Sequence, residues 1–229
     1  MGEHETGQWA ERRLAIIHTT PVTVDPLKTL ALELMPGIDV FNIVDDSILP
    51  QLAANGGRVD DIRPRWREYA GIAESLGAAC ILNACSSIGE LCAQVQPEIG
   101  VPIVRIDQAA AEYAVRSASR IGVAATLATT LEPTQRQLLA KAELAGRQLK
   151  LTPVVASTAY RRLLAGDKEG HDEELAAVLR RLAEDHELVV LAQASMARVT
   201  EKFPEDERKR FLTSPRLGME RVKQVLQTV

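Results

Sequence analysis

The chain has 229 residues, 46% hydrophobic and 25% charged, with a formal net charge of −4. That size and balance exclude a disordered or fibrous polymer and leave room for one large domain or two small ones, each with a real core. Arg58, Arg63, Arg65 and Arg67 alternate with acids and no basic run follows a phosphate backbone. No apolar segment approaches membrane-spanning length either, so nucleic acid and membrane are not expected partners.

The leading MGEHETGQWAERR holds three Glu and no apolar stretch before Leu14. It reads as a frayed lead-in rather than a secretory or transit segment. Leu14–Ile17 is a short apolar run ending in His18-Thr19-Thr20-Pro21, the pattern of a buried first strand entering a polar loop. Asp25-Pro26 reads as an N-cap and first-turn proline for a helix over Leu27–Met35, stopped by Pro36-Gly37. Asp39–Val44 is a second strand, followed by the polar turn Asp45-Asp46-Ser47. Asp61–Leu76 has the pattern of an amphipathic helix, with Gly77 at its end. Cys80–Ala84 is a third buried strand, and Ser86/Ser87 open a helix through Val95, closed by Pro97. Pro102–Arg105 is a short strand, and Asp107 caps a helix of small residues.

From Arg120 the theme restarts: a strand to Thr126, a loop with Thr129 and Thr130, and a helix from about Pro133 to Leu144. Leu149–Val155 is a strand. His171–Asp185 is helical, with Asp172 and glutamates near its start where the helix dipole favours them. Leu188–Leu191 is a last buried strand running into Ala192-Gln193-Ala194-Ser195, and a closing helix follows Ser214-Pro215. Strands alternating with helices predict an α/β fold: two similar Rossmann-like domains with parallel sheets, related by a pseudo-two-fold, with the active site in the interdomain cleft. In open parallel sheets ligands sit beyond the C-terminal strand ends. That rule selects His18 to Thr20, Asn42 with Asp45 and Asp46, Asn83 to Ser87, Thr126 with Thr129 and Thr130, and Gln193 to Ser195.

The three cysteines, Cys80, Cys85 and Cys92, are odd in number and close together, so no disulfide framework follows and a reducing cytoplasm is expected. Their spacing and the lack of clustered histidine do not make a zinc site, and no metal is expected. Cys85 stands where a buried strand gives way to a helix start, whose free N–H groups and dipole favour thiolate over thiol. Ser86 and Ser87 add hydroxyls and Asn83 an amide, a nest fit to hold a carboxylate. Cys80 and Cys92 read as packing. There is no glycine-rich dinucleotide fingerprint and no phosphate-cradling loop, so a cofactor-free enzyme is expected.

The segments ILNACSSIGE (81–90), AATLATTLEPT (124–134) and VVLAQASM (189–196), in this order and spacing, resemble the aspartate/glutamate racemase superfamily. That group also holds hydantoin racemases, maleate isomerases and arylmalonate decarboxylases. The resemblance implies two related α/β domains, residues 1–116 completed by a returning C-terminal helix in 207–229, and residues 117–206. It also implies a homodimer. Racemases of the group place two cysteines on opposite faces of one substrate carbon. Here Cys85 matches the first, but the second place falls on Gln193, or on Ala194 after a one-residue shift, and neither is a proton base. The chain thus reads as a divergent member lacking the second cysteine. Three choices stay open: another acid/base group, a single cysteine acting as proton donor, as in the decarboxylases (which keep the second cysteine rather than the first), or a cysteine nucleophile forming an adduct, as in maleate isomerases.

His18 ends the first strand and is a candidate base for Cys85, while His171 is the candidate replacement for the missing thiol. His4 and His186 carry no assigned role. Thr19, Asn42, Asn83, Ser86, Ser87, Thr126, Thr129, Gln193 and Ser195 are the candidate substrate contacts. The expected function is a cofactor-independent racemase or isomerase of a small carboxylic acid or amino-acid derivative, worked by Cys85. The alternatives are a decarboxylase or other lyase, a cysteine hydrolase with His18 as base, and a non-catalytic protein that binds small carboxylates.

Overall fold

The computed structural model describes residues 8–229; His4 and most of the lead-in lie outside them. The chain divides into two compact units. One runs up to Ile106 and takes in Pro215–Val229; the other is Asp107–Ser214.

In the first unit, β1 (Arg13–His18), α1 (Val24–Leu34), β2 (Asp39–Val44), α2 (Ile48–Ala54), α3 (Arg63–Ser75), β3 (Cys80–Asn83), α4 (Leu91–Val95) and β4 (Ile103–Arg105) follow in turn. The strands form one parallel sheet in the order β2-β1-β3-β4. Asn83 lies opposite Ile17 on one side and Arg105 on the other. A sheet covered on both faces needs apolar side chains in both directions, and Leu14 to Ile17 are all fully buried. One face carries Ala15, Ile17 and Ile81, with Phe41, Ile43 and Ile103 beside them. It packs against Ile48, Leu52, Ile62 and Trp66 from α2, α3 and the short turn before α3.

Local chemistry departs from the sequence expectation in three places. Asp25 does not cap a helix: Pro21–Thr23 forms a 3-10 turn and α1 already begins at Val24, so Asp25 is a first-turn acid. The stretch after Ser47 is helical, α2, with Pro50 accommodated in its first turn. The single helix expected over Ser86–Val95 is broken into a 3-10 turn at Ser86–Ile88, α4, and a second 3-10 turn at Gln96–Glu98.

The second unit contains α5 (Gln108–Ser117), β5 (Arg120–Ala125), α6 (Ala128–Leu144), β6 (Lys150–Val155), α7 (Ser157–Leu164), α8 (Lys168–Asp185), β7 (Leu188–Leu191), a 3-10 stretch at Ala194–Lys202, α9 (Glu205–Arg208) and β8 (Phe211–Leu212). Its sheet is also parallel, in the order β6-β5-β7-β8. The unit boundaries differ from 116/117 and 206/207. Ala111, Ala114 and Val115 of α5 share a core with Ile121, Val123, Leu138 and Leu188, so that helix belongs to the second unit. Phe211–Leu212 extends the second sheet, so the chain leaves it only after Ser214. The last helix, α10 (Pro215–Leu226), packs on α1, β3 and β4 of the first unit. Among the described residues no helix is long and apolar enough to cross a membrane.

Two helical glycines test the packing with opposite signs. A Cβ on Gly218 in α10 would overlap the Ile106 carbonyl oxygen and stand 3.0 Å from the Ile106 Cα, and backbone does not yield as a side-chain tip does. Gly218→Ala is expected to lose about 1–3 kcal/mol of stability. Gly71→Ala in α3 meets nothing within 4 Å and is expected to gain roughly 0.5–1 kcal/mol from helix propensity. Urea midpoints of the two variants should move in opposite directions.

Candidate active site

Strand β3 ends at Asn83, and the chain stays extended through Cys85 before tightening into the Ser86–Ile88 turn. Two bonds fix this exit: the Ala84 N–H donates to the Ile17 carbonyl at 2.9 Å, and the Asn83 Nδ2 donates to the Cys85 carbonyl at 2.9 Å. Cys85 points into the face carrying Ile17 and Ile81 and is only 7% exposed. Its sulfur receives the Thr19 hydroxyl, the N–H groups of Ser87 and Ile88, and the Ser87 hydroxyl. Burial pushes the thiol pKa up and outweighs these four donors. The expectation of a thiolate at rest is therefore corrected: Cys85 rests as a thiol. The helix-start argument fails because a three-residue 3-10 turn has little dipole, whereas its N–H groups do point at the sulfur.

His18 is one residue out of phase with Thr19 and so lies on the other face of the sheet from Cys85. It is fully buried, with Nδ1 2.8 Å from the Thr23 Oγ1 and Nε2 2.9 Å from the Asn42 Oδ1. The Asn42 Oδ1 can only accept, so Nε2 donates to it, while the Thr23 hydroxyl beside Nδ1 also stands 3.3 Å from the Thr20 carbonyl oxygen. Burial lowers the His18 pKa against the opposing pull of Asn42, so the ring is neutral. Both nitrogens are thus committed away from Cys85, and Asn42 serves as the partner of His18. Beyond β2, Asp45 accepts from Ser47 and Tyr69 and pairs with Arg65 at 3.0 Å. Burial raises its pKa, but the bonds from Ser47 and Tyr69 and the Arg65 charge together hold it below the ordinary value. Arg65 is therefore held in place rather than merely solvated.

Two polar atoms beside the thiol have no hydrogen-bond partner among the described residues although they are fully enclosed: the Asn83 Oδ1 and the Ser86 Oγ. Buried polar atoms are rarely left so, and these mark the place where a polar ligand has something to gain.

In the second unit, the Thr126 N–H and hydroxyl both donate to the Gln193 Oε1, at 2.7 and 2.8 Å. These two bonds orient the amide, so the Gln193 Nε2 is presented as a donor. Thr129 is the second residue of α6, half-buried, and Ser195 is half-buried in the 3-10 stretch after β7; neither side chain bonds within the described residues. His171 does not precede a helix. Asp167 caps α8 by accepting from the Gly170 N–H at 2.8 Å, which places His171 within the first turns. His171 is buried, with Nδ1 2.7 Å from the Asp172 Oδ1, while the Arg198 Nη1 donates to the Asp172 Oδ2 at 2.6 Å. The Arg198 Nη2 also stands 3.3 Å from the same Nδ1. Asp172 and Arg198 escaped the sequence reading because adjacent helix residues do not normally face each other and Arg198 is 27 positions away from His171. Among the described residues no group of three or more His, Cys, Asp and Glu is placed to hold a metal ion.

A family model described as Asp/Glu/hydantoin racemase matches residues 19–222. No curated protein matches the sequence. Among solved structures, a glutamate racemase isoform from Bacillus anthracis is similar at TM-score 0.74 and 14% identity, covering 96% of this chain and 83% of that one. An allantoin racemase from Klebsiella pneumoniae is similar at 0.67 and 16%, covering 95% and 89%. A glycine-to-cysteine variant of arylmalonate decarboxylase in a sulfate-associated form gives 0.61 and 13%, covering 94% and 93%. At these identities the likeness is one of fold.

Two measurements follow from the titrating groups. Alkylation of Cys85 by iodoacetamide, read by peptide mass, should rise with pH through a midpoint above the ordinary thiol value of about 8.5; a midpoint below it would contradict the burial argument. For His18 the folded pKa lies below its usual 6.5. The stability it contributes is whole above about pH 6.5 and is lost as pH falls through the lowered folded value. His18→Gln should be less stable at neutral pH, and its urea midpoint should fall less steeply than that of the wild type from about pH 7 to about pH 5.

Proposed function

We propose that this chain, which belongs to the Asp/Glu/hydantoin racemase family, is a cofactor-independent enzyme that moves a proton between the Cys85 thiol and a carbon next to a carboxylate of a small acid. The observation that carries this reading is the convergence of four donors on a buried sulfur. A neutral thiol is a weak acceptor and gains little from such company, whereas a thiolate gains much. Burial keeps the proton on sulfur at rest, and the donors lower the cost of giving it up. Opposing terms of this kind bring a proton donor toward balance with a carbon acid, which is what proton transfer in either direction requires. The unpartnered Asn83 Oδ1 and Ser86 Oγ are the substrate contacts proposed beside the sulfur.

A racemase needs a second group for the return proton. The sequence candidate for it is His171, whose Nδ1 lies 2.7 Å from the Asp172 Oδ1 and 3.3 Å from the Arg198 Nη2. A second reading, a decarboxylase that protonates one face only, is favoured by Gln193. That residue stands where the resemblance places the second cysteine, and its oriented amide can donate a hydrogen bond but not a proton.

The test is incubation of the protein in heavy water with a panel of small mono- and dicarboxylic acids, including α-amino and malonate-type acids. Deuterium entering next to the carboxylate without loss of carbon dioxide indicates the racemase or isomerase reaction; carbon dioxide release with one deuterium indicates the decarboxylase. Cys85→Ser should lower either by roughly 10²–10⁴-fold, and full activity in that variant would sink the reading.

A further inference from the structure

The buried residues of α6 are Thr130, Thr134, Gln137, Leu138 and Ala142, and most of them are polar. Their spacing places them on one face of the helix, where Leu138 and Ala142 share a core with Ile121 and Val123 of the sheet. A core-facing stripe is ordinarily apolar, so each polar member needs a match. Thr134 finds one within the helix: its hydroxyl donates to the Thr130 carbonyl oxygen at 2.9 Å. Gln137 does not. Its Oε1 is fully enclosed and has no hydrogen-bond partner among the described residues, and the same holds for the Oγ of Ser214, the last residue of the second unit. Both residues are more than nine-tenths buried.

Gln137 and Ser214 line one small cavity, together with Asp107, Thr134 and the apolar side chains of Leu138 and Val190. Its volume is about 10 Å³, room for one water and for nothing larger. An apolar atom there would leave both polar atoms unmatched. One water matches both: it donates to the Gln137 Oε1, which can only accept, and accepts from the Ser214 hydroxyl. Its second proton has the Thr134 oxygen to go to, since the proton of that hydroxyl is already engaged with Thr130.

We propose that this cavity is a binding site for a single ordered water, held by Gln137 and Ser214, which ties α6 to the last residue of the second unit. Asp107, the first residue of that unit, lines the same cavity, so the tie closes the unit where the chain enters and leaves it. The site lies wholly within the second unit and does not rest on Cys85.

The experiment is an atomic-resolution crystal structure of the full chain, with a second crystal soaked in rubidium chloride. One peak of water density is expected within about 3.2 Å of both the Gln137 Oε1 and the Ser214 Oγ, with no anomalous signal from rubidium at that place. A cavity without density, a rubidium peak in it, or a Gln137 amide turned over to bond a protein acceptor directly overturns the assignment. In solution, urea unfolding of Gln137→Leu, Ser214→Ala and the double variant reads whether one molecule serves both groups. Each single change should lower the folding equilibrium constant by roughly 5- to 100-fold, because the other enclosed group loses its match. The double variant should lose much less than the product of the two. A loss equal to that product overturns the shared water.

Discussion

Along β1, β3 and β4 successive side chains alternate between the two faces of one parallel sheet, and that period of two sorts every group near the thiol. Ile17, Thr19, Ile81, Asn83, Cys85, Ile103 and Arg105 fall in one phase; Ile16, His18 and Leu82 fall in the other. The phase that buries the strands on α2 and α3 thus carries, one or two positions past the last apolar side chain, Thr19 and Asn83 to the side of the sulfur. A single-residue slip would exchange Thr19 for His18 and replace a hydroxyl donor by an imidazole. The register is held because both faces of β1 are fully buried, and a slip would send every one of those side chains the wrong way.

Within that frame the sulfur is governed by two opposing terms. Enclosure disfavours the thiolate and the four donors favour it; at Cys85 burial prevails. Cys80, on the same strand but without such donors, has its thiol pushed up to about 12 by burial against a single backbone contact. The difference between the two cysteines is therefore the exit of β3: the Ser86–Ile88 turn bends its N–H groups back, Thr19 reaches across from β1, and Asn83 pins the Cys85 carbonyl.

Much of this was legible before any coordinates. Asp39–Val44 and Leu188–Leu191 keep the bounds that their apolar patterns predict, and the two parallel sheets follow from the alternation of strands and helices. Cys85, Asn83, Ser87, Thr126 and Gln193 were singled out because each stands at or just past a strand's C-terminal end. What escaped were elements too short or too mixed to show a period: α2 with its internal proline, α7, and the two-residue β8. His18 was drawn toward Cys85 by nearness to a strand end alone; strand parity, already readable from Ile16 and Ile17, assigns it to the opposite face.

In the second unit an amide stands at the end of β7, and Thr126 spends both its N–H and its hydroxyl on the Gln193 Oε1. One such bond would leave the amide free to turn over; two make the reversed orientation place an NH₂ against two donors, which costs both bonds. An oriented amide of this kind can steady a carboxylate or an enolate oxygen, and it has no proton to trade near neutral pH. Elsewhere in this unit His171 is buried with its Nδ1 against the Asp172 carboxylate, which the Arg198 guanidinium also holds. In the proposed reading, steadying and proton exchange, which one cysteine would combine, fall to different side chains on different elements.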